Sequence, residues 1–174
     1  MADDELVDVV DQEDNVIQTV TKSEAHEKGL LHKTVISEVI DSQGRWLFVK
    51  QASDRQDAGQ YVSPVGGHVT SGETDEEALK REANEEVGLV EGEYKYDFVN
   101  KAIFNREVLG RKENHYFLVY KIYSDATPKL NHESESCRYF TDEELRNELK
   151  EYPEHFGDAF HFVVKNSFPY LLVK

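Results

Sequence analysis

The chain has 174 residues, of which 39% are hydrophobic and 32% are charged, a composition typical of one globular domain with a sizeable core. Its formal net charge of −15 argues against electrostatic binding to nucleic acid or to an anionic membrane surface. A phosphorylated small molecule stays open as a partner, because a bound metal ion can invert the local field.

Cysteine usage and the amino terminus bear on the compartment. Cys137 is the only cysteine, so no internal disulfide can form, which fits a reducing environment. We interpret it as an ordinary thiol near a strand end rather than as a nucleophile. Residues 1–5 are acidic and lack the basic and apolar parts of a signal peptide. No apolar run approaches the roughly 20 residues of a membrane span. We therefore expect a cytoplasmic protein without membrane contact.

The first sixty residues alternate β-branched runs with turn-forming segments. Two such runs around a polar loop predict an amino-terminal hairpin. Ser23 is placed to cap a short helix that ends at Gly29. The predicted elements are strands at 6–10 and 16–20, a helix at 23–28, strands at 33–40 and 46–50 around a turn at 41–44, and a loop at 51–60.

Residues 66–89 form the stretch with the clearest pattern, a tight turn followed by a helix and a stop. Thr74 can act as the N-cap, and Glu77 three residues later completes a capping box. Gly88 stands where a left-handed C-terminal cap belongs. A stripe facing the core is formed by Leu79, Ala83 and Val87.

The neighbouring face of this helix carries three carboxylates, those of Glu82, Glu85 and Glu86. Like charges at this spacing destabilise a helix, and the helix dipole disfavours negative charge late in it. A hard divalent cation such as Mg²⁺ would reverse that balance. Taken alone, the cluster is also compatible with a solvated acidic surface.

The remaining sequence predicts two strands and two helices. Aromatic and β-branched residues at 94–105 and 114–123 predict strands around a turn near Gly110. Thr141 begins a second capping box and a helix to about Lys150. A last helix at 160–172 should be kinked or ended by Pro169. Strands interleaved with a few helices, without a repeat or a linker, indicate one mixed α/β sandwich over residues 1–174.

The stretch 66–89 resembles the Nudix box of the Nudix hydrolase superfamily. The order is Gly, five residues, Glu, seven residues, Arg-Glu, an aliphatic, one residue, Glu-Glu, one residue, Gly, an aliphatic. Ala83 is smaller than usual at the first aliphatic position. Every fixed position is filled, by Gly67, Glu73, Arg81, Glu82, Glu85, Glu86, Gly88 and Leu89.

The resemblance implies an α/β/α sandwich with a mixed sheet as a core at 32–150. An amino-terminal extension at 1–31, with the hairpin, would precede it, and a carboxy-terminal helix at 151–174 would follow. The implied activity is hydrolysis of a diphosphate linkage, in a nucleoside diphosphate derivative or a similar small molecule, with Mg²⁺ or Mn²⁺ as cofactor. The resemblance also leaves room for a homodimer.

The same resemblance assigns roles to residues. Glu82, Glu85 and Glu86 would be metal ligands, Glu82 and Glu86 the firmest, and one of the three would accept a proton. The backbone carbonyl of Gly66 often joins such ligands in relatives. We interpret Glu73 and Arg81 as a structural pair, because an Arg–carboxylate contact can be bidentate and would fix the loop to the helix. Gly67 and Gly88 allow a positive φ or a close backbone approach.

The amino-terminal part is similar to the isopentenyl-diphosphate isomerase branch of the superfamily, in Asp8-Val9-Val10-Asp11, in residues 21–26 and in Gly29-Leu30-Leu31-His32. In those isomerases, histidines at positions like His26, His32 and His68 hold a metal together with acidic residues. Glu113 stands at the position of one such acid, and His115 at that of a second. We favour a packing role for His26 and leave His32, His68 and Glu113 as additional candidates.

One departure separates the chain from these isomerases. They carry a catalytic cysteine directly before the Gly-His pair, where this chain has Gly66. Moving a double bond needs two precisely placed proton-transfer groups, and one of them is missing. Three functions remain: a Mg²⁺-dependent hydrolase, an isomerase-like enzyme and a non-catalytic nucleotide-binding module. The substrate stays open, and Tyr61, Phe104, Tyr116 and Phe156 could stack on a base or belong to the core.

Overall fold

A mixed β-sheet runs through the computed structural model, which describes residues 5–173. Its strands are β1 (Leu6–Val10), β2 (Val16–Thr21), β3 (His32–Ile40), β4 (Trp46–Gln51), β5 (Tyr61–Val62), β6 (Val65–His68), β7 (Lys95–Val108), β8 (Arg111–Tyr123) and β9 (Ser134–Phe140). The helices are α1 (Lys22–Lys28), α2 (Asp75–Val87), α3 (Asp142–Glu151) and α4 (Asp158–Ser167), with 3₁₀ turns at Pro153–His155 and Pro169–Leu172. No helix within the described range could cross a membrane.

Strand β3 organises the sheet. Along one edge it is paired in parallel with β8 over its whole length, from His32 opposite His115 to Ile40 opposite Tyr123. Along the other edge it meets β1, β6 and β4 in succession, all antiparallel. The long antiparallel hairpin of β7 and β8 extends the first edge. This arrangement brings the starts of β3 and β8 and the end of β6 to one place in the sheet.

Helices cover both faces of the sheet, because side chains of β3 alternate between two cores. Ile36 and Ile40 belong to a core shared with α3 and α4. Val35 and Val39 belong to another, shared with α2. A third, smaller cluster holds α1 against the amino-terminal hairpin. The predicted α/β/α sandwich with a mixed sheet is confirmed.

Two helix caps differ from the prediction. Thr21, not Ser23, caps α1, because its extended backbone leaves its hydroxyl free to accept from the N–H of Glu24 at 3.1 Å. The hydroxyl of Thr74 accepts from the N–H of Glu77 at 3.1 Å, but the reciprocal half of that capping box is absent from α2 as described. The full box forms at Thr141 instead.

The strands after residue 90 are longer than predicted. β7 and β8 continue to a two-residue turn in which Leu109 and Gly110 both have positive φ, as a tight hairpin requires. Strand β9 was not predicted, because its side chains are largely exposed and polar. Cys137 therefore lies in the middle of a strand, not near its end, and is exposed. Ser167 ends α4, just before Pro169 begins a 3₁₀ turn, as the proline predicted.

Glu38 is a buried carboxylic acid near the end of β3, and it makes stability depend on pH. Its Oε2 accepts a hydrogen bond of 2.6 Å from Ser63, while its Oε1 has no partner among residues 5–173. Burial raises the pKa of Glu38 to about 7, although the bond from Ser63 acts to lower it. The folded state therefore keeps a proton that the unfolded state has lost, and stability falls as pH rises from about 4.5 to above 7.

We expect Glu38→Gln to remove about 3 kcal/mol of this pH dependence, because the raised pKa of Glu38 is worth about 1.4 kcal/mol for each tenfold difference in proton affinity between the folded and unfolded states. The measurement is urea unfolding of both proteins at pH 5 and at pH 8.5, and the variant should gain relative to wild type at the higher pH. Glu135→Gln, an exposed change on β9, is the control. Parallel pH profiles for Glu38→Gln and wild type would contradict the assignment.

Candidate functional site

A bidentate ion pair ties the turn at 66–74 to helix α2. The Nε and Nη2 of Arg81 donate to the two carboxylate oxygens of Glu73, at 2.8 and 2.9 Å. The Nη2 also donates to the carbonyl of His68 at 2.9 Å. Burial acts to raise the pKa of Glu73, but hydrogen bonds from Arg81 and Thr70 hold it below its usual value. The predicted Glu73–Arg81 contact is therefore present and fixes the loop to the helix.

The three carboxylates of α2 have different surroundings. Glu82 is buried and accepts from the Nη1 of Arg81 at 2.5 Å. Glu86 accepts from the backbone N–H of Gly66 at 2.8 Å. The side chain of Glu85 is 55% exposed and lies 3.6 Å from Arg81. In this conformation Arg81 holds two of the carboxylates and Gly66 holds the third.

Two of these acids lie where negative charge is unfavourable. Burial raises the pKa of Glu82 to about 7, against the opposing effect of Arg81. Burial and the nearby Glu82 raise the pKa of Glu86 well above its usual value. Glu133, just before β9, lies beside them, and its charge acts to raise both pKa values further. Hard carboxylate oxygens that repel one another fit a Mg²⁺ ion, which would offset the repulsion.

Glu133 was not named as a site residue from the sequence, although the segment Glu133-Ser134-Glu135 resembles the usual region after the Nudix box. Its backbone carbonyl accepts from Ala52 at 2.9 Å, which anchors it beside the loop at 51–60. Strand pairing of β9 with β4 brings it to α2, and that pairing has no local sequence signal. A clear alternation of apolar and polar residues in β9 would have predicted this strand, and with it a position for Glu133 directly before the strand.

Gly67 has a role that only glycine can fill. A Cβ at this position would lie 2.2 Å from the carboxylate of Glu82. At the neighbouring Gly66 a Cβ would lie 3.6 Å from the carbonyl oxygen of Val35 and 4.0 Å from the Cγ1 of Ile36, which are ordinary contacts. The absence of a side chain at Gly67 therefore lets Glu82 approach the backbone of β6.

We expect Gly67→Ala to displace Glu82 and to destabilise the fold by about 1–3 kcal/mol, as overpacking does. Gly66→Ala, with room for its methyl group, should change stability much less. Thermal unfolding of the two metal-free variants checks this, and the crystal structure of Gly67→Ala should show a moved Glu82 side chain. Equal stability of the two variants would count against the close contact.

Four histidines converge at the end of the sheet where β3, β6 and β8 meet. They are His26 of α1, His32 of β3, His68 of β6 and His115 of β8, and their ligand nitrogens all lie within 4.8 Å of one another. The Nε2 of His26 is 3.2 Å from that of His115 and 3.2 Å from that of His68. Within residues 5–173 this is the one such convergence of His, Cys, Asp or Glu side chains.

The protonation of the cluster suits metal binding. Burial lowers the pKa of all four imidazoles, that of His26 to about 3 and those of His68 and His115 well below the usual value. The Nδ1 of His32 is 2.8 Å from the carbonyl of Leu30, so this nitrogen carries the proton and the Nε2 presents its lone pair. That Nε2 is buried without a partner in the described chain. Neutral imidazoles with free lone pairs are metal ligands.

Sequence reasoning identified this cluster only in part. His32 and His68 were candidates, whereas a packing role was favoured for His26, and His115 was noted only through the resemblance. His32 and His115 occupy opposed positions of a parallel strand pair, and His68 faces Thr34 of the same β3. The register of these strands is a tertiary property, as is the position of α1 over the start of β8.

Glu113 does not join the histidines. Its carboxylate is buried and accepts from the Nε of Arg106 at 2.5 Å and from the Nη2 of Arg111 at 2.8 Å. Both of its oxygens are therefore engaged by arginines. A ligand or base role for Glu113 would require it to release one of them.

A cavity joins the histidines to the acids of α2. Its lining residues include His68 and His115 of the cluster together with Glu86 and Glu133. Gly66 lies in its wall, and Cys137 does not, so no cysteine lines the described cavity. Of the four aromatic residues considered for stacking, only Phe104 reaches it. Phe156 is fully packed in the core, and the hydroxyl of Tyr116 donates to the carbonyl of Gln12.

Comparison with known proteins identifies the class. The model of the NUDIX domain matches residues 30–160. A crystal structure of DR0079 from Deinococcus radiodurans has the same fold, with a TM-score of 0.74 and 24% identity over 92% of this chain and 98% of that one. The chain therefore belongs to the Nudix domain family.

Curated relatives carry two kinds of name. An isopentenyl-diphosphate Delta-isomerase of Serratia proteamaculans is 30% identical over 94% of this chain and 91% of its own length. An uncharacterized Nudix hydrolase of a Nostoc species is 40% identical over 51% of this chain and 54% of its own. The two resemblances seen in the sequence are thus both found among relatives.

Proposed function

We propose that the protein hydrolyses a diphosphate linkage in a nucleoside diphosphate derivative or a similar small molecule, with Mg²⁺ or, in its place, Mn²⁺. The observation that carries the proposal is a pair of neighbouring carboxylates, Glu82 buried against Gly67 and Glu86 half-buried in the cavity wall. Membership of the Nudix family supports the same class of reaction.

We assign different roles to the residues of α2, the turn before it and Glu133: some would bind the metal ion, and others position the turn. Glu82 and Glu86 would hold the metal ion. Glu85 and Glu133 are close enough to supply further ligand oxygens, and the carbonyl oxygen of Gly66 is another candidate ligand. When bound, the ion would offset charge on the phosphoryl oxygens and acidify a water molecule. One of the glutamates then accepts the proton of the attacking water. Arg81 and Glu73 keep the turn and the helix in register through their bidentate contact.

A panel assay tests the proposal. Purified protein with Mg²⁺ is incubated with nucleoside triphosphates, nucleotide sugars, ADP-ribose, dinucleotide polyphosphates and isopentenyl diphosphate, and phosphate, pyrophosphate and nucleotide are measured. We expect release of phosphate, pyrophosphate or nucleotide from at least one class of substrate, and no release when EDTA removes the metal ion. No release from any diphosphate would refute the proposed hydrolase.

The second candidate function is isomerisation of isopentenyl diphosphate, which the full-length relative and the histidine cluster favour. The glycine at position 66 counts against it, because the chemistry needs a proton donor and a proton acceptor on opposite faces of the double bond. Incubation of isopentenyl diphosphate in D₂O separates the two. Deuterium in an isomerised, uncleaved diphosphate would support the isomerase.

A further inference from the structure

Two arginines line the cavity that His68 and His115 also line. Arg106 of β7 and Arg111 of β8 are the only lysine or arginine side chains in the described cavity wall. The remaining charged side chains in that wall, apart from the histidines, are acidic: Asp57, Glu86, Glu113 and Glu133. In a chain with a net charge of −15, an anionic ligand entering this cavity finds few partners of opposite charge.

Both arginines are held in position before any ligand arrives. Glu113 bridges them, accepting from the Nε of Arg106 with one oxygen and from the Nη2 of Arg111 with the other. Asp57 accepts from both terminal nitrogens of Arg106, at 2.8 and 3.1 Å. The side chains of Asp57, Arg106 and Glu113 are 11%, 14% and 6% exposed. Little conformational entropy is therefore left for Arg106 to lose when it binds a ligand, whereas the side chain of Arg111 is 30% exposed and is anchored through its Nη2.

Arg111 retains unused donors. Its Nη2 contacts Glu113 and lies 3.3 Å from the Nε2 of His26, but its Nε is buried and has no partner among the described residues. The Nε atoms of Arg55 and Arg146 are also unpartnered, but neither residue lines the cavity. An unpaired donor beside a desolvated charge is costly, and a phosphate oxygen would satisfy it.

We propose that Arg111, supported by Arg106, binds a phosphate group of the substrate and sets its orientation in the cavity. This proposal rests on the proposed function, because it takes the ligand to be a diphosphate. It adds the residues that recognise that ligand. A diphosphate has two phosphate groups, and the acids at Glu86 and the arginines border the same cavity. One group faces the metal-binding acids, and its neighbour or another anionic part faces the arginines. Glu113 is then a positioning residue for the two guanidinium groups.

The test is direct binding of methylenediphosphonate, a diphosphate analogue that cannot be hydrolysed, in the presence of Mg²⁺ by isothermal titration calorimetry. Losing a charge-assisted hydrogen-bond donor should weaken binding about 10- to 100-fold in Arg111→Gln. Arg111→Lys, which keeps the charge but loses the planar fork, should give an intermediate loss. Arg138→Gln is the matched control, because Arg138 lies on β9 outside the cavity and packs over Phe140.

The outcomes separate this site from the proposed reaction. Equal affinity of wild type and Arg111→Gln, or no binding by wild type, overturns the anion site whatever the enzyme turns over. Arg111-dependent binding without turnover of any diphosphate keeps the site and refutes the hydrolase. With the substrate found by the panel, Arg111→Gln should raise KM by the same factor and leave kcat within about threefold, because uniform binding is what it removes. If Arg111→Gln does not fold, the Lys variant decides.

Discussion

Glu86→Gln should lower kcat for diphosphate hydrolysis by on the order of 10²–10³-fold, the range seen when a group that stabilises transition-state charge is removed. The amide keeps the size of the side chain and can still accept from the N–H of Gly66. It removes the negative charge that would hold Mg²⁺, so weaker Mg²⁺ binding should accompany the loss. Steady-state kinetics over a Mg²⁺ titration checks both effects.

The same substitution should stabilise the metal-free protein above neutral pH. The pKa of Glu86 is raised by burial and by Glu82, so ionising it costs folding free energy as pH rises, and glutamine avoids that cost. Glu77→Gln, an exposed change on α2, serves as the control and should alter neither property. Glu86→Gln with more than a tenth of wild-type kcat, or with lower metal-free stability at pH 8, would contradict the assignment.

Lower activity together with higher metal-free stability is what we expect of a helix whose acidic face serves binding. Helix α2 has strong helix-forming signals, yet its acidic face destabilises it. Thr74 and Gly88 begin and end the helix as their sequence positions predict, and Leu79, Ala83 and Val87 face the core. The stability of the helix comes from that packed stripe and its caps. The acidic face opposes it, which is expected where a binding site is built at the expense of local stability.

Local signals were enough for most of the elements, whereas the acidic part of the site was assigned through the resemblance to the Nudix box. The hairpin strands β1 and β2, the central strand β3 and the helices α2 and α3 all have a periodic pattern or a cap within a few residues. The Glu73–Arg81 contact joins residues eight positions apart, and it was predicted from the resemblance together with the bidentate geometry of Arg–carboxylate pairs. Here sequence distance and spatial distance are both short.

The site residues that could not be predicted from the sequence depend on strand register and on the packing of helices against the sheet. His115 meets His32 because β8 lies parallel to β3 across a long crossover, and His26 meets both because α1 packs over β8. Glu133 reaches α2 only through the pairing of β9 with β4. Glu113 was considered a ligand or base, but its two oxygens are occupied by arginines 7 and 2 residues away. Such outcomes depend on competing partners brought in by the fold.

The histidine cluster should bind Zn²⁺ or Co²⁺ and not Mg²⁺. Four neutral imidazoles suit borderline transition metals, whereas Mg²⁺ prefers oxygen ligands. In tetrahedral zinc sites the metal–nitrogen bonds of about 2.0–2.1 Å place two nitrogens about 3.3 Å apart. The Nε2 separations of 3.2 Å at His26 match that spacing. The isomerase-like set would add acids, but here His115 takes the place of one and arginines hold Glu113.

Protein stripped with EDTA and titrated with Co²⁺ should develop the visible absorption of a nitrogen-coordinated ion, and one equivalent should suffice. A 1,000-fold excess of Zn²⁺ over its dissociation constant would add about 4 kcal/mol to the free energy of unfolding. Loss of a partner outside the ligand shell weakens metal binding about 10- to 100-fold, so losing a ligand itself in His32→Gln should weaken it by at least about 100-fold. His132→Gln, outside the cluster, is the control. Because Glu86→Gln leaves the four imidazoles intact, this variant should bind Co²⁺ at the cluster like wild type. If Glu86→Gln and His32→Gln both lost Co²⁺ binding, one shared site and not two would hold the metal.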